Sequence, residues 1–259
     1  MPNRVRVVVP ASTANLGPGY DCLALALGLY NTFEFAVQSG GAGVEVDVQG
    51  EGADRLPVVS TNLAAQAAIS VWDTVGRSAP PLKILARNGI PHGSGLGSSA
   101  AAVVGGLVGA NALLGGVLDR FELLRRAYKL ELSADNAAAS LFGGLVLVSA
   151  ESDALHVEQL RAHPFEVVIA LPATQLSTAE SRKVLPLAVP LRDAVLNVGR
   201  TAFVIRALQR GDYALLEWAM QDRLHEPFRR ALIYGFEDVA RAARASGAAA
   251  GVLSGAGPG

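Results

Sequence analysis

The stretch PHGSGLGSSAAAVVGGLVGAN, residues 91–111, contains no charged side chain and has three glycines within five positions near its start. Two serines and a run of small apolar residues follow them. This order is typical of a glycine turn that leads into a helix buried on most sides. Because the first amides of a helix lack internal partners and lie at the positive end of its dipole, the stretch predicts a site for an anion such as phosphate.

Other interpretations of this stretch are a membrane span, two known nucleotide loops and a plain helix start. The charge-free run 94–118 is long enough to span a membrane, but Gly, Ala and Ser dominate it and no cationic flank marks an edge. A Walker loop needs a lysine after the last glycine, and the dinucleotide fingerprint needs its third glycine one position later. On spacing alone, a plain capped helix start stays open.

Composition excludes several classes of protein. The chain has 259 residues, of which 51% are hydrophobic and 17% charged, enough for one large or two modest domains with a real core. A net charge of −1 gives no electrostatic footprint for nucleic acid, so neither nucleic acid nor a membrane is expected as a partner. Cys22 is the single cysteine, and the chain starts with a strand pattern rather than a signal peptide, so a cytoplasmic location is expected.

Periodicity and turn residues predict strands and helices without strict alternation, which indicates an α+β fold. The most polar connection, 151–163, predicts a boundary between domains 1–155 and 156–259. The predicted strands are 4–9, 31–37, 44–48, 82–86, 143–149, 166–171 and 248–254. The predicted helices are 62–75, 98–113, 119–130, a short one in 133–140, 179–183, 191–209, 213–220 and 236–245.

Three further stretches need a common explanation with the first: PASTANLGPGYD (10–21), ELSADNAAASLFGG (131–144) and LSGAGPG (253–259). Together the four resemble the GHMP superfamily of small-molecule kinases, which includes galactokinase, homoserine kinase and mevalonate kinase. Within it the chain is most similar to the homoserine kinases, which STAESRKVLP (177–186) and HEPFRR (225–230) also resemble. The resemblance implies a two-domain GHMP kinase fold with a ferredoxin-like C-terminal domain, and phosphorylation of L-homoserine in threonine biosynthesis.

The same resemblance implies ATP and Mg²⁺ as cofactors and assigns residues to both. Magnesium prefers oxygen ligands and keeps several waters, so hydroxyls of Ser98 or Ser99 with the Glu131 carboxylate would suffice beside the phosphates. A solvent-exposed helix end remains an open interpretation of Glu131. The implied ATP-binding residues are Asn62, Pro91, His92, Gly93, Ser94, Gly95, Leu96, Gly97, Ser98, Ser99, Ala100, Gly255 and Gly257.

Homoserine also carries a carboxylate and an ammonium group. Arginine grips a carboxylate in bidentate geometry, and by resemblance Arg182 and Arg229 take this role. Arg230, next in sequence, is expected to be dispensable. Asn15 and Asp21 would receive the ammonium group.

Asp135 and Asn136 lie, by resemblance, where the substrate hydroxyl meets the γ-phosphate. An N-cap role for Asp135 on the following helix is the alternative. The stretch PASTANLGPGYD contains no lysine that could assist Asp135. Asp135 is therefore expected to orient the hydroxyl and to accept its proton late. Ser133 stands near the position where the family usually has a histidine on the substrate side, and it is assigned to substrate binding.

At its C-terminal end the chain has Gly259 where the family pattern has serine followed by a strand–helix–strand unit. An incomplete second domain with an exposed sheet edge is therefore expected, which would favour a homodimer. Two other functions remain open at this stage: a kinase of the same superfamily acting on another small alcohol, and a non-catalytic ATP-binding protein.

Overall fold

The computed structural model describes residues 2–131, 133–151, 154–174 and 176–259. Within these ranges the strands form one mixed sheet of order β3-β4-β2-β5-β6, and β1 pairs with the other side of β2. The β3–β4 pair is parallel and the other pairs are antiparallel. The strands are β1 Arg4–Ala14, β2 Leu23–Val37, β3 Val44–Gly50, β4 Leu82–Asn88, β5 Leu145–Glu151 and β6 Ala154–Leu160.

The helices of the first half of the chain cover one face of this sheet, and helices make up most of the second half, so the predicted mixed α+β class is confirmed. None of the described helices is long and apolar enough to cross a membrane. They are α1 Leu63–Thr74, α2 Ser98–Leu113, α3 Arg120–Glu131, α4 Asp135–Phe142, α5 Thr178–Lys183, α6 Leu191–Arg210, α7 Leu216–Ala219, α8 Glu226–Arg229 and α9 Phe236–Ala245, with 3-10 turns at Tyr213–Leu215 and Arg230–Leu232.

The buried helix predicted from the charge-free stretch is α2, and its glycines explain how closely it packs. A Cβ atom on Gly105 would lie 2.4 Å from the ring of Phe33, and one on Gly109 would lie 2.1 Å from the ring of Phe35. On the side towards α1, a Cβ on Gly106 would lie 2.2 Å from a backbone oxygen. Only small residues let α2 fit between the sheet and α1, and this packing fixes where the helix begins.

A second cluster of buried apolar residues joins the two halves of the chain. Leu16 and Leu23 from the first half pack with Val204 and Leu208 of α6. Through this cluster α6 and the helices after it are held against the loop that connects β1 to β2.

Some sequence predictions of strands were wrong. The polar stretch 151–163 contains β6, an edge strand whose exposed and half-buried residues alternate and whose ladder with β5 reaches Leu160. Conversely, the predicted strands 166–171 and 248–254 are not strands, since neither pairs with a described strand. An apolar sequence favours a strand but does not provide the partner strand that a sheet requires. β6 crosses the predicted boundary between domains 1–155 and 156–259, and both that division and the ferredoxin-like second domain stay predictions.

Candidate active site

A cavity of about 380 Å³ opens where the separated motifs converge. The loop 15–21, the glycine loop 91–97, the start of α2 and the segment 253–259 form its walls together with residues of α4 and α5. Most of the residues predicted from sequence line it, namely Asn15, Asp21, His92, Gly93, Ser94, Gly95, Gly97, Ser98, Ser99, Glu131, Ser133, Asp135, Asn136, Arg182, Arg229, Gly255 and Gly257.

Four predicted ATP-binding residues lie outside the cavity lining. Asn62 caps α1, since its Oδ1 accepts from the amide of Ala64 at 3.0 Å. Leu96 and Ala100 are buried in the core, and the carbonyl of Pro91 accepts from a serine of the glycine loop at 2.7 Å. Pro91, Leu96 and Ala100 therefore support the glycine loop and the start of α2, whereas Asn62 holds the start of α1. The lining also includes residues that were not assigned to the site from the sequence: Ala14, Leu130, Leu176, Ser177, Thr178 and Ala256.

The glycine loop needs its glycines for backbone conformation and for space. Gly93, Gly95 and Gly97 have φ of 68°, 78° and 67°, in the left-handed region. A Cβ on Gly95 would lie 2.4 Å from the carbonyl oxygen of Ser254, and one on Gly97 would lie 2.2 Å from the Oγ of Ser12. The loop is therefore locked against two other motifs.

The start of α2 lacks the side-chain cap that a plain helix start would have. Gly97 occupies the N-cap position and makes no side-chain hydrogen bond, and no acidic residue lies in the first turn. The positive end of the helix dipole therefore faces the cavity beside the hydroxyls of Ser98 and Ser99. Such an end suits a phosphate group.

Glu131, at the end of α3, meets the start of α2. Its Oε2 accepts a hydrogen bond of 2.7 Å from the Oγ of Ser99. Burial raises the pKa of Glu131, and the bond from Ser99 opposes that shift. The described residues contain no group of three or more His, Cys, Asp or Glu side chains able to hold a metal alone. One carboxylate with two hydroxyls fits a hydrated divalent cation that phosphate oxygens help to hold.

Asp135 is the most buried carboxylate of the cavity, with 1% of its surface exposed. Its Oδ1 accepts from the Oγ of Ser133 and, at 2.7 Å, from the amide of Asn136. Burial raises the pKa of Asp135; the hydrogen bond from Ser133 lowers it and the charge of Asp21 raises it further. Asp135 is the first residue of α4 and Ala134 is the N-cap, so the alternative of Asp135 as an N-cap is not supported.

Asn136 ties this aspartate to the glycine loop. Its Oδ1 accepts a hydrogen bond of 2.9 Å from the Oγ of Ser12, next to Gly97. Asp135 lines the cavity together with Gly97 and Ser98 at the uncapped helix start and with Asp21 of the loop 15–21. This place suits a group that acts on the reacting atoms.

Arg229 is a buried cation without an ion-pair partner among the described residues. It is 2% exposed and donates to the carbonyls of Ser181 at 3.4 Å and Gly255 at 3.2 Å. Its guanidinium lies 5.2 Å above the ring of Tyr20. Burial lowers the pKa of Arg229; Tyr20 and the charge of Asp21 oppose this shift, and the charge of Arg182 reinforces it. A buried cation without an ion-pair partner is costly, so the arrangement favours an anionic ligand.

Arg182 and Asp21 form the more exposed part of the same wall. Their Nη2 and Oδ2 atoms are 3.5 Å apart, and both side chains are about 40% exposed, at 40% and 42%. Both polar atoms of Asn15 are engaged: Oδ1 accepts from the amide of Asp21 at 3.0 Å and Nδ2 donates to Gly255 at 2.8 Å. Asn15 therefore positions Asp21 rather than offering a free group to a ligand.

Arg230 is not the dispensable neighbour expected from the sequence. Its Nη2 lies 2.7 Å from the Oε2 of Glu226, whose side chain is fully buried, and its Nη1 lies 2.8 Å from Glu237. Removing Arg230 would leave the Glu226 carboxylate buried without a counter-charge.

Sequence reasoning missed three polar residues that support the site: Ser12, Tyr20 and His225. All three lie inside stretches that the sequence singled out, but their roles depend on contacts across the chain. The contact between His225 and Gly17, for example, joins residues 208 positions apart.

Known proteins share both the sequence and the fold of this chain. Residues 62–144 match the GHMP kinases N terminal domain. The homoserine kinases of Carboxydothermus hydrogenoformans and Moorella thermoacetica are 42% and 45% identical to it, over 98% and 97% of this chain and 83% and 84% of theirs. A crystal structure of homoserine kinase from Cytophaga hutchinsonii matches 100% of this chain and 84% of that chain, with a TM-score of 0.87 and 32% identity. The chain belongs to the homoserine kinase family of the GHMP kinases.

Proposed function

We propose that this protein transfers the γ-phosphoryl group of ATP to the side-chain hydroxyl of L-homoserine, as a cytoplasmic enzyme of threonine biosynthesis. The observation that carries the proposal is one cavity that joins an uncapped helix start to a buried, unpaired arginine. The first feature suits the phosphates of a nucleotide and the second suits the carboxylate of an amino acid. Membership of the homoserine kinase family supports the same reaction.

The nucleotide phosphates bind along the glycine loop and the first amides of α2. Ser98, Ser99 and Glu131 would hold Mg²⁺, which would supply positive charge beside the phosphates. Since phosphoryl transfer passes through a loose transition state, fixed positions and charge neutralisation account for most of the catalysis.

Asp135 receives the substrate hydroxyl. Its Oδ1 is engaged by Ser133 and Asn136, whereas its Oδ2 makes no hydrogen bond with a described residue. Oδ2 therefore accepts the hydrogen bond of the hydroxyl, aims its oxygen at the γ-phosphate and takes the proton late. No lysine is required for this step because the attacking oxygen needs little activation.

The other end of homoserine lies against the loop 15–21 and the two arginines. Arg229 and Arg182 bind the carboxylate, and Asp21, held by Asn15, binds the ammonium group. This arrangement requires a substrate with both charges near its hydroxyl.

A comparison of three alcohols tests the proposed substrate. ADP release is measured with L-homoserine, with 3-aminopropan-1-ol, which lacks the carboxylate, and with mevalonate. Turnover with homoserine and little with the others is expected. Preferential turnover of mevalonate would assign the chain to another small alcohol, and no turnover with any of them would favour a non-catalytic role.

Replacing Arg229 with Leu should raise the homoserine KM about 10- to 100-fold and leave the ATP KM nearly unchanged. The loss corresponds to one charge-assisted contact of roughly 1.5–3 kcal/mol. Steady-state kinetics with each substrate varied in turn measures both constants.

Arg241→Leu is the matched control, because Arg241 is exposed and pairs only with Asp238 at the surface. It should leave both KM values as they are. If Arg229→Leu kept the parent homoserine KM, or lost ATP affinity by the same factor, Arg229 would not be the residue that binds the carboxylate.

Ser133→Ala should shift the acidic limb of the kcat profile to higher pH. The hydroxyl of Ser133 lowers the pKa of Asp135 against the effect of burial, so its loss raises that pKa and protonates the carboxylate at a higher pH. Ser133→Thr keeps a hydroxyl and should restore the parent profile. If Ser133→Ala changed the homoserine KM and left the pH profile unmoved, Ser133 would act on the substrate, as the sequence suggested, and not on Asp135.

A further inference from the structure

We propose that His225, as a neutral imidazole protonated on Nε2, positions Arg229 relative to the loop 15–21 and so sets the binding site for the substrate carboxylate. His225 is a positioning residue, since it lies behind Arg229 and not in the cavity lining. The inference rests on the proposed function in one respect, namely that Arg229 receives the carboxylate of homoserine.

The two ring nitrogens of His225 face partners that allow only one protonation state. Nε2 lies 2.8 Å from the carbonyl oxygen of Gly17, which can only accept, so Nε2 carries a hydrogen. Nδ1 lies 3.2 Å from Nη1 of Arg229, which can only donate, so Nδ1 carries a lone pair. A doubly protonated ring would set an N–H group against the guanidinium and break the second contact.

The groups around His225 keep its ring neutral. The ring is fully buried and stacks on Tyr20 with centroids 5.1 Å apart. Burial lowers the pKa of His225 below its ordinary value; the carboxylates of Asp222 and Asp21 oppose this shift, and the Arg229 charge reinforces it. At neutral pH the ring is therefore an acceptor for Arg229 and not a competing cation.

Asp222 is close to His225 but is occupied by other donors. Its Oδ2 is 3.7 Å from Nε2, beyond hydrogen-bond distance, and accepts the amides of His225 and Glu226 at 2.7 Å. Its Oδ1 accepts the amide of Leu224 and the side chain of Asn197. Asp222 thus holds the turn that carries His225 and leaves both ring nitrogens to their other partners.

The loop 15–21, to which His225 donates a hydrogen bond, has a strained backbone that other contacts must stabilise. Asn15, Leu16 and Asp21 have φ of 74°, 48° and 53°, a region that is costly for residues other than glycine. A Cβ on Gly17 would lie 2.1 Å from the carbonyl oxygen of Met220, so the loop packs directly on the second half of the chain.

Three side chains from the second half donate to carbonyls of this loop. Asn197 and Thr201 donate to Pro18 at 3.1 and 3.0 Å, and His225 donates to Gly17. Of the three, only His225 also contacts Arg229. His225 therefore links the loop that bears Asp21 directly to the arginine that binds the carboxylate, beside the Gly255 carbonyl, which accepts from both Asn15 and Arg229.

The test compares His225→Gln with the parent enzyme across pH. A glutamine amide reaches the position of Nε2 and keeps a donor for Gly17, but it offers no acceptor at the position of Nδ1. We expect the homoserine KM at neutral pH to rise about ten-fold, equivalent to about 1.4 kcal/mol, while kcat and the ATP KM stay within about three-fold. The parent homoserine KM should rise on acidification below the ordinary histidine range near 6.5, and the variant should lose this rise.

His156→Gln is the control, because His156 lies exposed on β6; it should keep the parent KM and the parent pH dependence. A His225→Gln enzyme with the parent homoserine KM and an unchanged acidic rise would overturn the proposal.

A measurement on the parent protein separates this proposal from the proposed function. Nitrogen-15 NMR of the His225 ring should show a protonated Nε2 and an unprotonated Nδ1, whatever substrate the enzyme uses. An imidazolium or an Nδ1-protonated ring at neutral pH would overturn the role of His225 even if homoserine were turned over. Absence of homoserine turnover with the expected ring state would instead contradict the proposed function.

Discussion

Asp135→Asn should lower kcat for homoserine about 10²- to 10⁴-fold, the range expected when a positioned proton acceptor is lost, and should change the homoserine KM by no more than a few-fold. The carboxylate is needed at the moment when the hydroxyl oxygen attacks, so its loss affects the transition state more than the bound substrate. Asparagine has nearly the same shape and can still accept from Ser133. The effect therefore reports the charge at Asp135 and not a change in packing.

Steady-state kinetics of the folded variant measures both constants. Asp47→Asn is the control, because Asp47 is an exposed residue of β3 far from the cavity lining, and it should behave as the parent. An Asp135→Asn enzyme with the parent kcat would show that Asp135 has no role in the chemical step.

Gly97→Asp should weaken ATP binding by about 100-fold or more, equivalent to at least two charge-assisted contacts of roughly 1.5 kcal/mol each. The new side chain would start 2.2 Å from the Oγ of Ser12, on a backbone with φ of 67°. It would also place a negative charge at the uncapped start of α2, where the nucleotide phosphates bind.

Gly76→Asp separates these effects from backbone strain. Gly76 has φ of 66°, almost the same conformation, but a Cβ there would meet nothing within 4 Å. Calorimetry on both variants, after circular dichroism has shown that they fold, gives the two affinities. Equal ATP affinity in Gly97→Asp and the parent would show that the glycine loop is a structural turn and does not bind the phosphates.

The buried helix could be predicted from sequence because its cause is local. A run of small uncharged residues has few structural uses, and the packing of Gly105 and Gly109 on aromatic rings shows why no larger residue is present. The convergence of the four separated stretches on one site was implied by their resemblance to the GHMP kinases. The cavity brings residues of all four together.

The remaining features depend on neighbours that are distant in sequence. β6 has a polar sequence because it lies at the edge of the sheet. The segment 166–171 is apolar, but it pairs with no described strand and so is not a strand. Arg229 and Arg230 are adjacent and chemically identical, yet one faces the cavity and the other pairs with buried Glu226. Only the fold distinguishes them, since consecutive residues on a helical turn point in different directions.

The central claim is that one cavity brings the phosphates of ATP to the hydroxyl of homoserine. Phosphorus-31 NMR of the complete reaction tests it most directly, with ATP, Mg²⁺ and L-homoserine in one tube. The predicted result is one phosphomonoester of homoserine for each ADP formed, with no signal from inorganic phosphate. ADP with inorganic phosphate alone, or a spectrum that homoserine does not change, would contradict the account.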